Sequence, residues 1–270
     1  MRLLLFTTDT EFAARAERAG IDGVIVDWDS RGKGDRQQGR DLETNADTVE
    51  DARRLSVALT IPVTVRVNGP GSQVEEEVDR ALESGARGLM FPMARGPEDV
   101  ERFLAAVRGC AETIVQIETQ ALVDRVEAVR GLPWDSVYIG LNDLMVSRGG
   151  TWIWETVLDG TVERVCRALE GRKVGFGGVT VVGGGFPVRF SLLLQEMVRL
   201  GCDLSFMRRT FKREIQDRDM AAEVRAIRAL EEAFRKRGPE ATAADHRRLL
   251  SELQRLREIS DANPADVRLR

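Results

Sequence analysis

The sequence predicts an α/β fold, a (β/α)8 TIM barrel followed by a C-terminal helical extension. Three observations lead there. Short runs rich in Val and Ile alternate with amphipathic stretches of helical period, the pattern of βα units wound around a parallel sheet. Eight such runs can be read along the 270 residues, a length that one undivided barrel commonly takes. The runs are apolar throughout rather than at every second position, as expected of strands covered on both faces.

The strands are expected near 2–8 (RLLLFTT), 23–28 (GVIVDW), 62–68 (PVTVRVN), 88–93 (GLMFPM), 113–118 (TIVQIE), 136–141 (SVYIGL), 174–179 (VGFGGV) and 203–208 (DLSFMR). Between them EFAARAERAG, TVEDARRLSVAL, QVEEEVDRALESG, PEDVERFLAAVRG, QALVDRVEAVRG and TVERVCRALEG carry helical spacing. Several close on a glycine (Gly20, Gly85, Gly109, Gly131, Gly201), the residue that best takes the left-handed turn at a helix end. Residues 1–215 are assigned to the barrel. Residues 216–270 are assigned to its last helix and, past the Gly238-Pro239 break, to a polar helical appendage suited to subunit contacts.

Composition narrows the chemistry. A net charge of -4 with dispersed Lys and Arg argues against a nucleic-acid partner. No apolar run is long enough for a membrane span, and MRLLLFTTDTEF reads as a first strand rather than a signal peptide. Three cysteines far apart fit a reducing, cytoplasmic setting. The one histidine, His246, falls in ATAADHRRLLSELQRL, expected to be a solvated helix. This argues against a Ser-His-Asp triad, a Cys-His pair or a two-histidine zinc site, and points to carboxylates, Arg, Lys, hydroxyls or a bound ion.

A parallel barrel displays its reactive groups at the C-terminal ends of its strands. Here these are Thr7, Thr8 and Asp9; Asp27 and Asp29; Arg66 and Asn68; Pro92 and Met93; Gln116 and Glu118; Asn142 and Asp143; residues 177–180; and Arg208 and Arg209. Acids from strands two, five and six converge on one mouth, and a hard divalent cation would offset their repulsion. Asp143 could instead simply cap the next segment. RGKGDRQQGRDLETN (31–45) is either a flexible connection or a lid bringing Lys33, Arg36 or Gln37 over an anionic substrate. The glycines of GFGGVTVVGGGF (175–186) could cradle a phosphate but more often serve close packing; of Arg208 and Arg209, one is expected to point into the mouth and the other outward.

VQIET (115–119) followed by VYIGLNDLMVSRGG (137–150) resembles the paired signature of the HpcH/HpaI aldolase and citrate lyase family. VRVNG (65–69) is similar to that family's Arg-bearing third strand, GVIVDWDS (23–30) to its acidic second strand, and GARGLMFPMARGPEDVERF (85–103) to its fourth strand and helix. The resemblance spans about residues 5–212. It implies a divalent metal, Mg²⁺ foremost with Mn²⁺ or Co²⁺ as alternatives, held by Glu118 and Asp143. It also implies that Arg66 binds the oxygen of a 2-oxo acid and of its enolate, that Gln116 places substrate, and that Asp27 lies beside metal-bound water. Asp29, Lys33 and Asn142 complete the expected substrate contacts. Where the aldolase branch carries a histidine after its second strand this chain has Ser30, so water, Asp29 or Lys33 would move the proton. The implied activity is carbon–carbon cleavage or formation next to the carbonyl of pyruvate, oxaloacetate or a related acid by a cytoplasmic homo-oligomer. An acyl-CoA lyase or synthase, and a non-catalytic metal-binding barrel serving as an assembly subunit, are the alternatives.

Overall fold

In a computed structural model that describes residues 1–29 and 47–262, eight parallel strands close into a barrel in chain order. They are β1 (Arg2–Phe6), β2 (Gly23–Asp27), β3 (Val63–Arg66), β4 (Gly88–Phe91), β5 (Glu112–Ile117), β6 (Ser136–Ile139), β7 (Val174–Phe176) and β8 (Leu204–Phe206). The register sets Asp27 beside Arg66 and Gln116 beside Tyr138, and β8 closes on β1 with Leu204 against Arg2. The helices that cover the barrel are α1 (Thr10–Ala19), α2 (Val49–Ala58), α3 (Val74–Glu83), α4 (Pro97–Val107), α5 (Gln120–Asp124) and α6 (Val126–Val129). Then come α7 (Leu141–Ser147), α8 (Glu155–Leu158), α9 (Thr161–Ala168), α10 (Phe190–Arg199), α11 (Phe211–Glu214), α12 (Met220–Arg235) and α13 (Pro239–Ala262).

Local chemistry explains where the helices begin. Asp9 caps α1 by accepting from the Phe12 N–H, and Thr48 with Asp51 forms a reciprocal capping box for α2. Pro97 opens α4, where its fixed φ suits the first turn and its missing N–H has no intrahelical partner to lose. Buried Ala13, Ala16 and Ala19 line the inner face of α1 and let it lie close on the sheet.

Two apolar layers result. The outer one packs strands against helices. The inner one, Leu4, Ile25, Met90, Ile114, Tyr138, Leu204 and Phe206 with Phe6, fills the barrel itself, so the interior is a core and not a pore. Its upper tier is aromatic: Phe206 stacks on Tyr138 with centroids 3.5 Å apart, and Phe6 meets Phe206 edge-on at 5.3 Å. Because strand side chains alternate, the residues two beyond inward Ile25 and Ile114 also face the axis. Those residues are Asp27 and Gln116, and the paired Arg66 joins them directly above the aromatic tier.

Several elements depart from the sequence reading. β7 and β8 are three residues each, because Gly177 turns left-handed (φ 81°) and takes the chain off the sheet. Only the bridge from Val179 to Met207 continues that ladder. The single helix expected at 120–131 divides at Arg125 into α5 and α6. Helix α7 starts straight after β6, so Asn142 and Asp143 occupy a helical first turn rather than a strand end, and Gly140, not Asp143, is the cap. The largest correction concerns α13. His246 does not lie on a solvated helix: it is half-buried, with Nδ1 3.0 Å from Glu196 Oε2 on α10. Leu249, Leu253 and Leu256 form the buried stripe of α13, and Arg257 reaches Glu155 at 3.2 Å. Among the described residues no helix is long and apolar enough to cross a membrane.

Candidate functional site

The strand ends of β2, β3 and β5 place a continuous polar chain across the barrel mouth. Arg66 grips Asp27 with both prongs, Nε donating to Oδ1 at 2.8 Å and Nη2 to Oδ2 at 2.7 Å. This planar fork suits a carboxylate in a way that a lysine could not copy. Asp27 is in turn fixed from both sides: its Oδ1 accepts the Asp29 N–H at 3.1 Å, and its own N–H donates to Asp47 Oδ2 at 2.8 Å. The remaining prong of Arg66, Nη1, faces Gln116 Oε1 at 3.4 Å, while the guanidinium carbon lies 5.2 Å from the centre of the Phe6 ring. Gln116 passes the chain on by donating from Nε2 to Glu118 Oε2 at 3.0 Å.

Strand β4 adds a backbone group that holds the other Glu118 oxygen. The Met93 N–H donates to Oε1 at 2.9 Å, from a residue with φ 58°. That left-handed geometry is costly for a side chain larger than glycine, and such strain gathers at sites where a group must be aimed. Gly69 makes the bend feasible, since a Cβ there would stand 2.9 Å from Met93 Cβ. On the far side Gly140 opens space: a Cβ at that position would run into Glu118 Oε2 and approach its Cβ to 2.9 Å.

Charge is concentrated here. Glu118, 1% exposed, is pushed up to about 8 by burial and by the neighbouring Asp143 charge, against the opposing pull of Arg66 and the Met93 N–H. Burial works against the charge of Arg66, but Asp27 outweighs it, with help from Glu118 and Asp29, and raises Arg66 above its ordinary range. Asp47 is also raised, by burial and by the charges of Asp27 and Asp51. Two hard oxygen donors that repel each other beside an amide are suited to an oxophilic divalent cation such as Mg²⁺ or Mn²⁺.

The structure thus joins Asp27, Arg66, Gln116 and Glu118 into one hydrogen-bonded chain, with Asp143 near enough to act on Glu118 and with buried Asp29 alongside. Asn142, in contrast, is exposed on the first turn of α7. Ser30, Lys33, Arg36 and Gln37 lie outside the described residues. Asn68 is occupied in holding helix α3, its N–H and Nδ2 both donating to Glu77 Oε2. Of the two arginines after β8, Arg208 is largely enclosed and Arg209 exposed. Sequence reasoning did not find Asp47, the Met93 N–H or Gly140. Gly140 could have been found, as a glycine at a strand end just before Asn142-Asp143; the others carry no local signal.

Another group of side chains invites a metal reading. Glu163, Glu196 and His246 bring one ligand atom each within 4.8 Å of one another. Arg199 donates to Glu163 at 2.8 Å and to Glu196 at 2.6 Å, so the positive charge is already supplied. A neighbouring open cavity of about 480 Å³ is bordered by Arg199, Arg237 and His246, but Arg237 is paired with Asp245. This cluster is an ionic joint between α9, α10 and α13, away from the strand ends.

Comparison with known proteins follows the same lines. The profile of the HpcH/HpaI aldolase/citrate lyase family matches residues 2–174. Among solved structures, a HpcH/HpaI aldolase/citrate lyase family protein from Burkholderia cenocepacia J2315 is 21% identical with a TM-score of 0.56, covering 86% of this chain and 94% of that one. A HpcH/HpaI aldolase from Desulfitobacterium hafniense DCB-2 is 17% identical with a TM-score of 0.58, covering 88% and 94%. A phosphoribosyl anthranilate isomerase from Thermus thermophilus also aligns, at 18% identity and a TM-score of 0.52, covering 87% and 100%. Likenesses this distant share the barrel alone. No curated protein matches the sequence.

Proposed function

Because the chain belongs to the HpcH/HpaI aldolase/citrate lyase family, we propose that it is a divalent-metal-dependent carbon–carbon lyase or aldolase acting through the enolate of pyruvate, oxaloacetate or a related 2-oxo acid. The observation that carries this reading is the chain of strand-end groups from Asp27 through Arg66 and Gln116 to the buried Glu118 carboxyl, with Asp143 near enough to act on it. Glu118 and Asp143 would hold the ion, Mg²⁺ by preference. When bound, it would supply Lewis acidity toward the 2-oxo acid, worth roughly several kcal/mol.

The chain's own residues do the rest. Asp27 locks the Arg66 fork so that Nη1 stays turned toward the centre of the mouth. There it would donate to the keto oxygen and more strongly to the enolate oxygen, a preorganised stabilisation that costs no rearrangement as charge develops. Gln116 orients Glu118 and borders the substrate. The aromatic tier below excludes water. In the cleavage direction the C4 hydroxyl gives up its proton and C4 leaves as an aldehyde. The electron pair of the C3–C4 bond moves into C2–C3, the carbonyl oxygen takes the negative charge, and C3 is then protonated. Asp29, buried and within electrostatic reach of both Arg66 and Glu118, is our assignment for the proton carrier.

Proton exchange between the pyruvate methyl group and D2O, followed by NMR with Mg²⁺, Mn²⁺ or Co²⁺, tests this directly. Exchange should require metal, stop with chelator and vanish in Glu118→Ala. Equal exchange in wild type and Glu118→Ala would end the proposal, and oxalate binding without any exchange would favour a non-catalytic barrel.

A further inference from the structure

The glycine-rich run after β7 encloses an arginine that the proposed chemistry leaves unused. Arg208 lies two residues beyond Phe206, past the end of β8, and is within electrostatic reach of Tyr138 in the inner aromatic tier. Its backbone continues the ladder, the N–H donating to Val179 O at 2.7 Å. Two glycines make room for the side chain: a Cβ at Gly178 would stand 2.7 Å from Arg208 Cγ, and one at Gly185 would stand 3.1 Å from Nη1. The run that looked like a phosphate cradle is thus a sleeve around a cation.

That cation is incompletely satisfied. Nε donates to Gly178 O at 2.9 Å and Nη1 to Val188 O at 3.4 Å, but Nη2 is shut away from solvent with no acceptor. Among the described residues no carboxylate pairs with it; Glu214, the acid whose charge it feels, takes the Thr180 hydroxyl. Burial draws Arg208 down to about 10. The Trp154 ring lies 5.6 Å from its guanidinium carbon, and Trp154 Nε1 is likewise buried without an acceptor. Buried donors with nothing to donate to are costly, and the cost is removed when an acceptor arrives.

We propose that Arg208, together with the indole N–H of Trp154, receives a second oxyanion, a carboxylate or phosphate carried by the aldehyde partner of the reaction. The inference deepens the proposed function and rests on it for the identity of the partner. Both arginines adjoin the aromatic tier: Arg66 lies over Phe6, Phe6 meets Phe206, Phe206 stacks on Tyr138, and Tyr138 is within electrostatic reach of Arg208. The keto acid would be read on the β3 side and the far end of the acceptor on the β8 side. Because Nη2 is covered, the groups around it must shift as the anion enters.

The binding half of the test needs no metal. Inorganic phosphate and succinate are titrated by calorimetry into the EDTA-treated full chain, with tryptophan fluorescence followed in parallel. At least one should bind and shift the emission. Affinity should fall about tenfold or more in Arg208→Gln and less in Arg208→Lys, as expected for loss of a charged hydrogen bond. Trp154→Phe, which keeps the ring and removes the N–H, should also weaken binding. The stronger binder of the two identifies the oxyanion. With metal and pyruvate present, the kcat/KM ratio of succinic semialdehyde or glyceraldehyde 3-phosphate to propionaldehyde should exceed about ten and collapse toward one in Arg208→Gln. Anion binding that is absent in wild type, or unchanged in Arg208→Gln, overturns the proposal even if pyruvate exchanges its protons. Arg208-dependent anion binding without proton exchange leaves this site standing and removes the aldolase reading instead.

Discussion

A single proton on Glu118 ties the site to the stability of the whole chain. In the folded protein the carboxyl is held at about 8, against an ordinary value of 4.5. Between those limits the folded state keeps a proton that the unfolded state has released, so stability falls as pH rises through that window. The slope approaches about 1.4 kcal/mol per pH unit for one fully linked group. Metal-free protein should therefore melt at a lower temperature at pH 8 than at pH 5, and Glu118→Gln should flatten that trend. Mg²⁺ or Mn²⁺, which competes with the proton, should raise the melting temperature most at pH 8. Parallel pH profiles of wild type and Glu118→Gln in scanning calorimetry would contradict this account. Arg66→Lys keeps the charge but loses the fork locked on Asp27; proton exchange should drop by about 10²–10³, the effect of removing one preorganised donor. Arg66, Gln116 and Glu118 were legible as strand-end groups, whereas Asp143, read at a strand end, lies in the first turn of α7. Asp47 was not legible, since a long polar segment separates it from the strand whose Asp27 N–H it accepts, and no periodicity reports such a return.

The junction between β6 and α7 shows what a single element boundary controls. Gly140 ends the strand, caps the helix and leaves the space that Glu118 occupies. Gly140→Ala should fold, with an unaltered far-ultraviolet circular dichroism spectrum, yet lose about tenfold or more in metal affinity, because the displaced carboxyl must leave its Met93 and Gln116 partners. Calorimetric titration with Mn²⁺ checks this; native affinity would show that Glu118 has room to spare. The eight strands could be read in advance because buried parallel strands announce themselves as apolar runs. Their ends could not, where tertiary geometry decides them: β7 stops at Gly177 although the apolar run continues to Val179. The break at Arg125 between α5 and α6 involves neither proline nor glycine, so no breaker marked it.

At the scale of the molecule, α13 binds the chain's end to its middle. Its polar composition concealed an apolar stripe at spacings of four and three, Leu249, Leu253 and Leu256, which the packing of α13 against α10 turns into core. Leu253→Ala should cost about 2–5 kcal/mol in urea unfolding, the usual effect of truncating a fully buried leucine. Breaking the His246–Glu196 contact with His246→Ala should matter much less than that leucine. A loss below about 1 kcal/mol at Leu253 would show that α13 is dispensable for the barrel.

The stacked rings of Phe6, Phe206 and Tyr138 carry a consequence for traffic. Among the described residues they close the barrel interior beneath Arg66, so in the proposed reaction whatever reaches Arg66 would not pass through the barrel but would come and go on the strand-end side. Of two reactants the later arrival sits nearer the opening and holds the earlier one in. In the proposed cleavage the fragments would depart in the opposite sequence, outermost first, as from a stack loaded from the top.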